Sequence, residues 1–199
     1  MPSKNSKVKR QFLLTVIDHK LLRECIKRRV NDGGILRLIG KWLNAGVMEE
    51  GTLSYPGKGV PQGGVISPVL SNIFLHYVLD EWFVEQVLPR MRGKCFIIRW
   101  ADDFIIGCEM ESDAKRIMTA LPKRFKEYEL ALHAEKTAII DFRRPPSTVK
   151  GKGKGTFNFL GFTFYWSKSR RGYWVIKKKT AAKGLRRYMI RLWQWCREN

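Results

Sequence analysis

Residues 95–109 read CFIIRWADDFIIGCE, and the fold is decided there. Two short apolar runs, Phe96-Ile97-Ile98 and Phe104-Ile105-Ile106, flank Ala101-Asp102-Asp103. Runs this short and this rich in β-branched and aromatic residues read as strands, with the acidic triplet as the turn between them. Aspartate suits a turn because its side chain bonds the local backbone. Two adjacent carboxylates repel, however, and between buried arms that repulsion is costly unless a cation or solvent compensates it. Hard oxygen ligands of this kind suit Mg²⁺, which keeps part of its water shell and shares its coordination with phosphates. The plainer alternative is an exposed acidic turn.

Outward from the hairpin, 199 residues are enough for one domain with a real core, and a hydrophobic fraction of 44% argues against disorder. The formal net charge of +20, from 38 Lys and Arg against 18 Asp and Glu, points to a polyanionic partner. Nucleic acid fits: phosphates are neutralised by such charge, and the 7 tryptophans offer faces on which bases stack. A membrane surface would attract the same charge, but no strongly amphipathic N-terminal anchor accompanies it. Cys25, Cys95, Cys108 and Cys196 form no CxxC pair, and His19, His76 and His133 stand apart, so a zinc site is not expected. Gln11–Ile17 is apolar but too short to span a bilayer and lacks a cleavage site, so the chain reads as cytoplasmic.

In chain order, Met1–Arg10 is basic and reads as a loose leader. Asp18 opens a helix with Leu21, Leu22, Cys25 and Ile26 on one stripe; a second helix carries Ile35, Leu38, Ile39, Trp42 and Leu43, and both read as core-facing. Gly51–Gly64, GTLSYPGKGVPQGG, is a glycine-rich loop that runs into a helix with Ser67 as candidate N-cap and Pro68 at its first position. Such a loop can hold a phosphate or admit a backbone close to a ligand, but it lacks the Gly-Lys-Ser/Thr ending of a P-loop. Beyond the hairpin, Ser112–Tyr128 reads as a helix, Leu130–Phe142 as a turn into a strand, and Phe157–Trp166 and Tyr173–Lys178 as two aromatic strands. Ala181–Asn199 is a final amphipathic helix, and from Lys150 onward Glu198 is the only acid.

Four motifs then stand in order: GVPQGGVISPVLSNIFLHYVLD, RWADDFIIG, LALHAEKT and FNFLGFTF. Together they resemble the successive palm motifs of group II intron-type reverse transcriptases over Thr15–Lys179. The resemblance implies an α/β (α+β) fold, a largely antiparallel palm sheet backed by helices at 21–30, 68–86 and 112–128. It divides the chain into a leader at 1–14, the palm at 15–179 and the start of a thumb helix at 180–199. It implies an RNA-directed DNA polymerase that takes an RNA template, expected to be intron RNA, and a DNA primer. Two Mg²⁺, or Mn²⁺ in their place, would lie about 3.5–4 Å apart.

By the same resemblance, Asp102 and Asp103 match the family's metal-binding pair, with Trp100 where tyrosine is usual. Pro61, Gln62 and Gly63 match the loop against the templating base pair and incoming nucleotide, and Lys136 the lysine near the leaving pyrophosphate. Phe159, Leu160 and Gly161 resemble the primer grip; Lys177, Lys178, Lys179, Arg186 and Arg187 would follow the nucleic-acid backbone.

The sequence also departs from that family. The further metal aspartate would fall near Lys9, yet no acidic residue precedes Asp18, and Leu14 stands where an aromatic guards the sugar 2′ position. The fingers that normally precede the palm are not found. The expectation is therefore a palm that is inactive alone and completed by a separate fingers-bearing polypeptide. The alternative is a non-catalytic, basic RNA-binding module derived from such an enzyme.

Overall fold

Asp18 starts the helical layer in the way its side chain allows: it caps α1 (His19–Lys27) by accepting from the backbone N–H of Lys20 at 2.8 Å and of Leu21 at 2.9 Å. The computed structural model describes residues 6–10, 17–44, 47–49, 52–54, 66–133, 137–148 and 153–198. Ahead of α1, Ser6–Arg10 is not a loose leader but a strand, β1. After α1 come α2 (Gly33–Asn44) and a short antiparallel hairpin of β2 (Val47–Glu49) and β3 (Thr52–Ser54). The expected glycine-rich loop thus begins as a strand; the part from Tyr55 to Val65 lies outside the described residues.

The helix α3 (Ser67–Leu75) has Ile66 at the capping position and Pro68 in its first turn, one residue from the expected start. It continues as wider π-helical turns over His76–Glu81 and Phe83–Val87 and ends in a 3₁₀ turn at Leu88–Arg90. Such turns change the pairing of backbone carbonyls. Arg124 donates to two carbonyls there, Val78 at 3.2 Å and Tyr77 at 3.5 Å. The acidic hairpin follows as β4 (Cys95–Trp100) and β5 (Asp103–Cys108), then α4 (Glu111–Glu127) and β6 (Ala138–Asp141). The chain closes with β7 (Thr156–Phe159), β8 (Phe162–Lys168), β9 (Trp174–Thr180) and α5 (Ala182–Glu198).

The main sheet has the order β4-β5-β1-β6, antiparallel at every pairing. In it β1 lies between β5 and β6, with Arg10 opposite Phe104 and Lys9 opposite Ile105. The strand β5 is buried on both faces. Phe104, Ile106 and Cys108 point into the helical core with Leu22, Phe74, Leu79, Ile117 and Phe125. Ile105 points the other way and packs with Phe142, Phe157 and Phe159. The second sheet, β7-β8-β9, hangs on that cluster. The α/β palm-type architecture is as the sequence implies, with helices on one face of an antiparallel sheet.

Three sequence readings are corrected. Phe157–Trp166 is two strands, because Leu160 and Gly161 both take positive φ, 49° and 77°, and fold it into a two-residue hairpin. The helix α2 faces the core through the buried Ile39 and Leu43 and the partly buried Leu36; Ile35, Leu38 and Trp42 are exposed. The arms of the acidic hairpin are unequally buried: β4 is the sheet edge and leaves Phe96, Ile98 and Trp100 in the open.

Candidate active site

A tight turn holds the two carboxylates. Trp100 pairs with Asp103 across the hairpin, so Ala101 and Asp102 alone reverse the chain, and Ala101 sits at φ +50°. That left-handed conformation costs a residue with a Cβ on the order of 1 kcal/mol, so something must hold it. Asp102 and Asp103 are half-buried, with Oδ1 of Asp103 inside the fold. Trp100 points away from the helices and is 68% exposed, an open ring beside the acidic pair.

What holds the turn is Arg99, on the helix-facing side of β4. Its guanidinium grips Asp80 through Nε, at 2.8 and 3.1 Å, and through Nη2, at 2.6 Å. Its Nη1 donates to Asn72 Oδ1 at 2.7 Å and to the carbonyl of Ala101 at 2.9 Å. Bidentate, charge-assisted contacts of this kind fix direction as well as adding energy. The Arg99 side chain is 14% exposed, and His76 stands 3.7 Å from the same Asp80 carboxylate. None of Arg99, Asp80 or Asn72 was singled out from the sequence. The available signal was an arginine within an otherwise apolar strand, next to an acidic turn.

Phe159, Leu160 and Gly161, expected from the sequence as a primer grip, lie in the same region. Phe159 closes β7 and packs with Ile105, two residues along β5 from Asp103. Leu160 and Gly161 form the exposed tip of that hairpin. Thr180 pairs with Phe162, and the N–H of Ala181 donates to the Gly161 carbonyl at 2.9 Å, so α5 departs directly from the Leu160-Gly161 turn. Lys177, Lys178 and Lys179 are exposed on β9, with Lys178 Nζ 5.4 Å from the Phe162 ring centre and Lys179 Nζ 5.8 Å from that of Tyr165. Arg186 and Arg187 are exposed on α5, whose apolar stripe is also uncovered. Pro61, Gln62, Gly63 and Lys136 lie outside the described residues.

The donor chemistry of Asp102 and Asp103 fits a hard divalent ion. A two-ion centre needs more. Among the described residues no group of three His, Cys, Asp or Glu side chains is placed to hold a metal. The strand β1, Ser-Lys-Val-Lys-Arg, brings no carboxylate to the sheet beside them. The pair thus fits half of such a centre. Among the described residues, no helix is long and apolar enough to cross a membrane.

Residues 12–164 match the family model described as reverse transcriptase (RNA-dependent DNA polymerase). The chain is similar to the group II intron-encoded protein LtrA of Lactococcus lactis subsp. cremoris, 42% identical over 138 residues, covering 64% of this chain and 23% of that protein. It is 28% identical over 167 residues to an uncharacterized 91 kDa protein in the cob intron of Schizosaccharomyces pombe, covering 84% of this chain and 19% of that one. Among solved structures, apo telomerase from Candida tropicalis, truncated from its C-terminal domain, superposes with a TM-score of 0.63 at 16% identity. That match covers 88% of this chain and 35% of the telomerase chain, and it shows the shared fold. The chain spans about a fifth of the length of the curated relatives it matches.

Proposed function

From its membership of the reverse transcriptase (RNA-dependent DNA polymerase) family, to which the match over residues 12–164 assigns the chain, we propose that it is a group II intron-type palm. In this reading it holds an RNA template and a DNA primer but does not extend the primer unaided. The observation that carries this is the pairing of an intact acidic turn with a lysine- and arginine-bearing β1 in the same sheet. Asp102 and Asp103 are the residues that would hold Mg²⁺, or Mn²⁺ in its place. Bound there, the ions would activate the primer 3′-hydroxyl and stabilise the leaving pyrophosphate. The third carboxylate comes from outside β1, and the template is intron RNA.

The residues of this chain do the holding. Leu160 and Gly161 present the grip tip to the primer end, Trp100 offers a ring beside the acidic turn, and Lys177–Lys179, Arg186 and Arg187 neutralise backbone phosphates. Backbone contacts of this sort position a duplex without reading its sequence. Lys136 and the Pro61-Gln62-Gly63 loop are assigned to the pyrophosphate and the nascent pair from the motif match alone.

The basic β1 also favours a second reading, a non-catalytic RNA-binding module in which Asp102 and Asp103 have lost their task. Binding of an RNA–DNA primer–template, measured across salt concentration, separates the two. The palm reading predicts a steep salt slope, reduced by about 2–3 units when Lys177, Lys178 and Lys179 are changed to Gln. It also predicts that Mg²⁺ tightens binding of the incoming nucleotide to the primer–template complex and that Asp102→Ala abolishes this. Binding indifferent to both Mg²⁺ and Asp102→Ala leaves the RNA-binding module.

A further inference from the structure

We propose that Arg99 is the positioning residue of the acidic turn: through Asp80 and Asn72 it ties the Ala101 carbonyl, and hence the peptide that bears Asp102, to the helical layer. The inference rests on the palm reading above and deepens it. The bond from Nη1 to the Ala101 carbonyl fixes the plane of the peptide joining Ala101 to Asp102. Turning that plane changes ψ of Ala101, whose φ is +50°, and φ of Asp102, and with them the direction in which Asp102 leaves the backbone. The anchor is firm because Nε and Nη2 are committed to the oxygens of Asp80 and the other Nη1 hydrogen to Asn72.

Asp80 has a second effect. Arg99 is a cation three residues before the first of two adjacent carboxylates, and unpaired it would weaken a metal site. Bound to Asp80, its charge is largely cancelled and its planar fork serves as a brace. Lysine in its place keeps the charge and loses the fork. The helix carrying Asp80 and Asn72 thereby sets the geometry of a turn on another element, and metal affinity at Asp102 becomes sensitive to side chains that do not touch the ion.

Mn²⁺ titration of the chain, followed by paramagnetic broadening of the amide signals of residues 100–104, tests this at affinities down to the millimolar range. Charge and positioning predict opposite signs. Arg99→Gln removes a positive charge, so electrostatics alone tightens Mn²⁺ binding, whereas loss of the brace weakens it. The expected result is about tenfold weaker binding for Arg99→Gln and for Arg99→Lys, a loss of ~1.4 kcal/mol. Asp80→Asn is expected to weaken it in the same direction. Leu121→Ala, a truncation of the same buried core made on α4, serves as the stability control and is expected to bind Mn²⁺ as the parent does.

Tighter or unchanged binding in Arg99→Lys and Arg99→Gln overturns the brace while leaving the palm reading intact. So does equal weakening in Leu121→Ala, which would mean that Arg99 acts only through stability. Broadening in the parent that Asp102→Ala does not remove overturns the brace and the metal half-site together.

Discussion

Asp113 shows what a single buried carboxylate does in this fold. It is fully buried on α4 and accepts from the backbone N–H of Arg92 at 3.0 Å and of Gly93 at 2.8 Å, closing the turn that leads into β4. Asp113→Ala strands those two donors and is expected to cost about 2 kcal/mol in urea unfolding, whereas the exposed Glu111 can be changed to Ala with little effect. The cysteines give a second residue-scale test. Burial pushes the thiols of Cys25, Cys95 and Cys108 up, Cys108 furthest, while Cys196 is exposed on α5. Iodoacetamide at pH 8 should therefore alkylate Cys196 first, as read by peptide mass mapping. A folded-state thiol pKa raised above its unfolded value makes stability fall once the pH exceeds the ordinary thiol range, because the unfolded chain ionises first. The urea midpoint should accordingly drop between pH 8 and pH 10.

At the scale of elements, β5 is the shared wall between the helical core and the β7-β8-β9 sheet, and Ile105 is its contribution to the second side. Ile105→Ala is expected to cost about 2–4 kcal/mol and, in hydrogen exchange, to release β7 before the helices. Lys9→Asp, at the register position opposite Ile105, returns a carboxylate to β1 and should tighten Mn²⁺ binding by roughly tenfold. How far such elements are legible in the sequence depends on how local their causes are. The acidic hairpin and α4 announce themselves because period and turn chemistry lie within a few residues. The strand β1 does not: Ser-Lys-Val-Lys-Arg has the look of a solvated tail, and only pairing with strands about a hundred residues away makes it a strand. The Leu160-Gly161 turn hid because leucine is an unusual residue for positive φ. The stripe of α2 was read correctly as a stripe, but periodicity reveals a face and not what covers it. Arg99 was quoted within its motif, yet its partner lies 19 residues earlier on another element, where no local pattern points.

For the molecule as a whole, charge and exposed apolar surface pull in different directions. The net charge of +20 favours nucleic acid and keeps copies apart, while Phe96, Ile98 and Trp100 on an edge strand and Trp193 and Trp195 on α5 invite association. The chain alone should self-associate as salt is raised and its charge screened, and RNA should reverse this; sedimentation velocity with and without a primer–template checks both. A chain that stays monomeric at high salt without RNA would count against the exposed edge. In the reading proposed above, the hairpin carries half of a polymerase centre and β1 does not supply the rest. The most direct test of that reading is primer extension on an RNA template by the purified chain, with Mg²⁺ and separately with Mn²⁺, beside Asp102→Ala. The account predicts no extension from either protein while primer–template binding persists in both. Templated extension by the parent chain that disappears in Asp102→Ala would contradict it, since a complete metal centre would then exist within the chain.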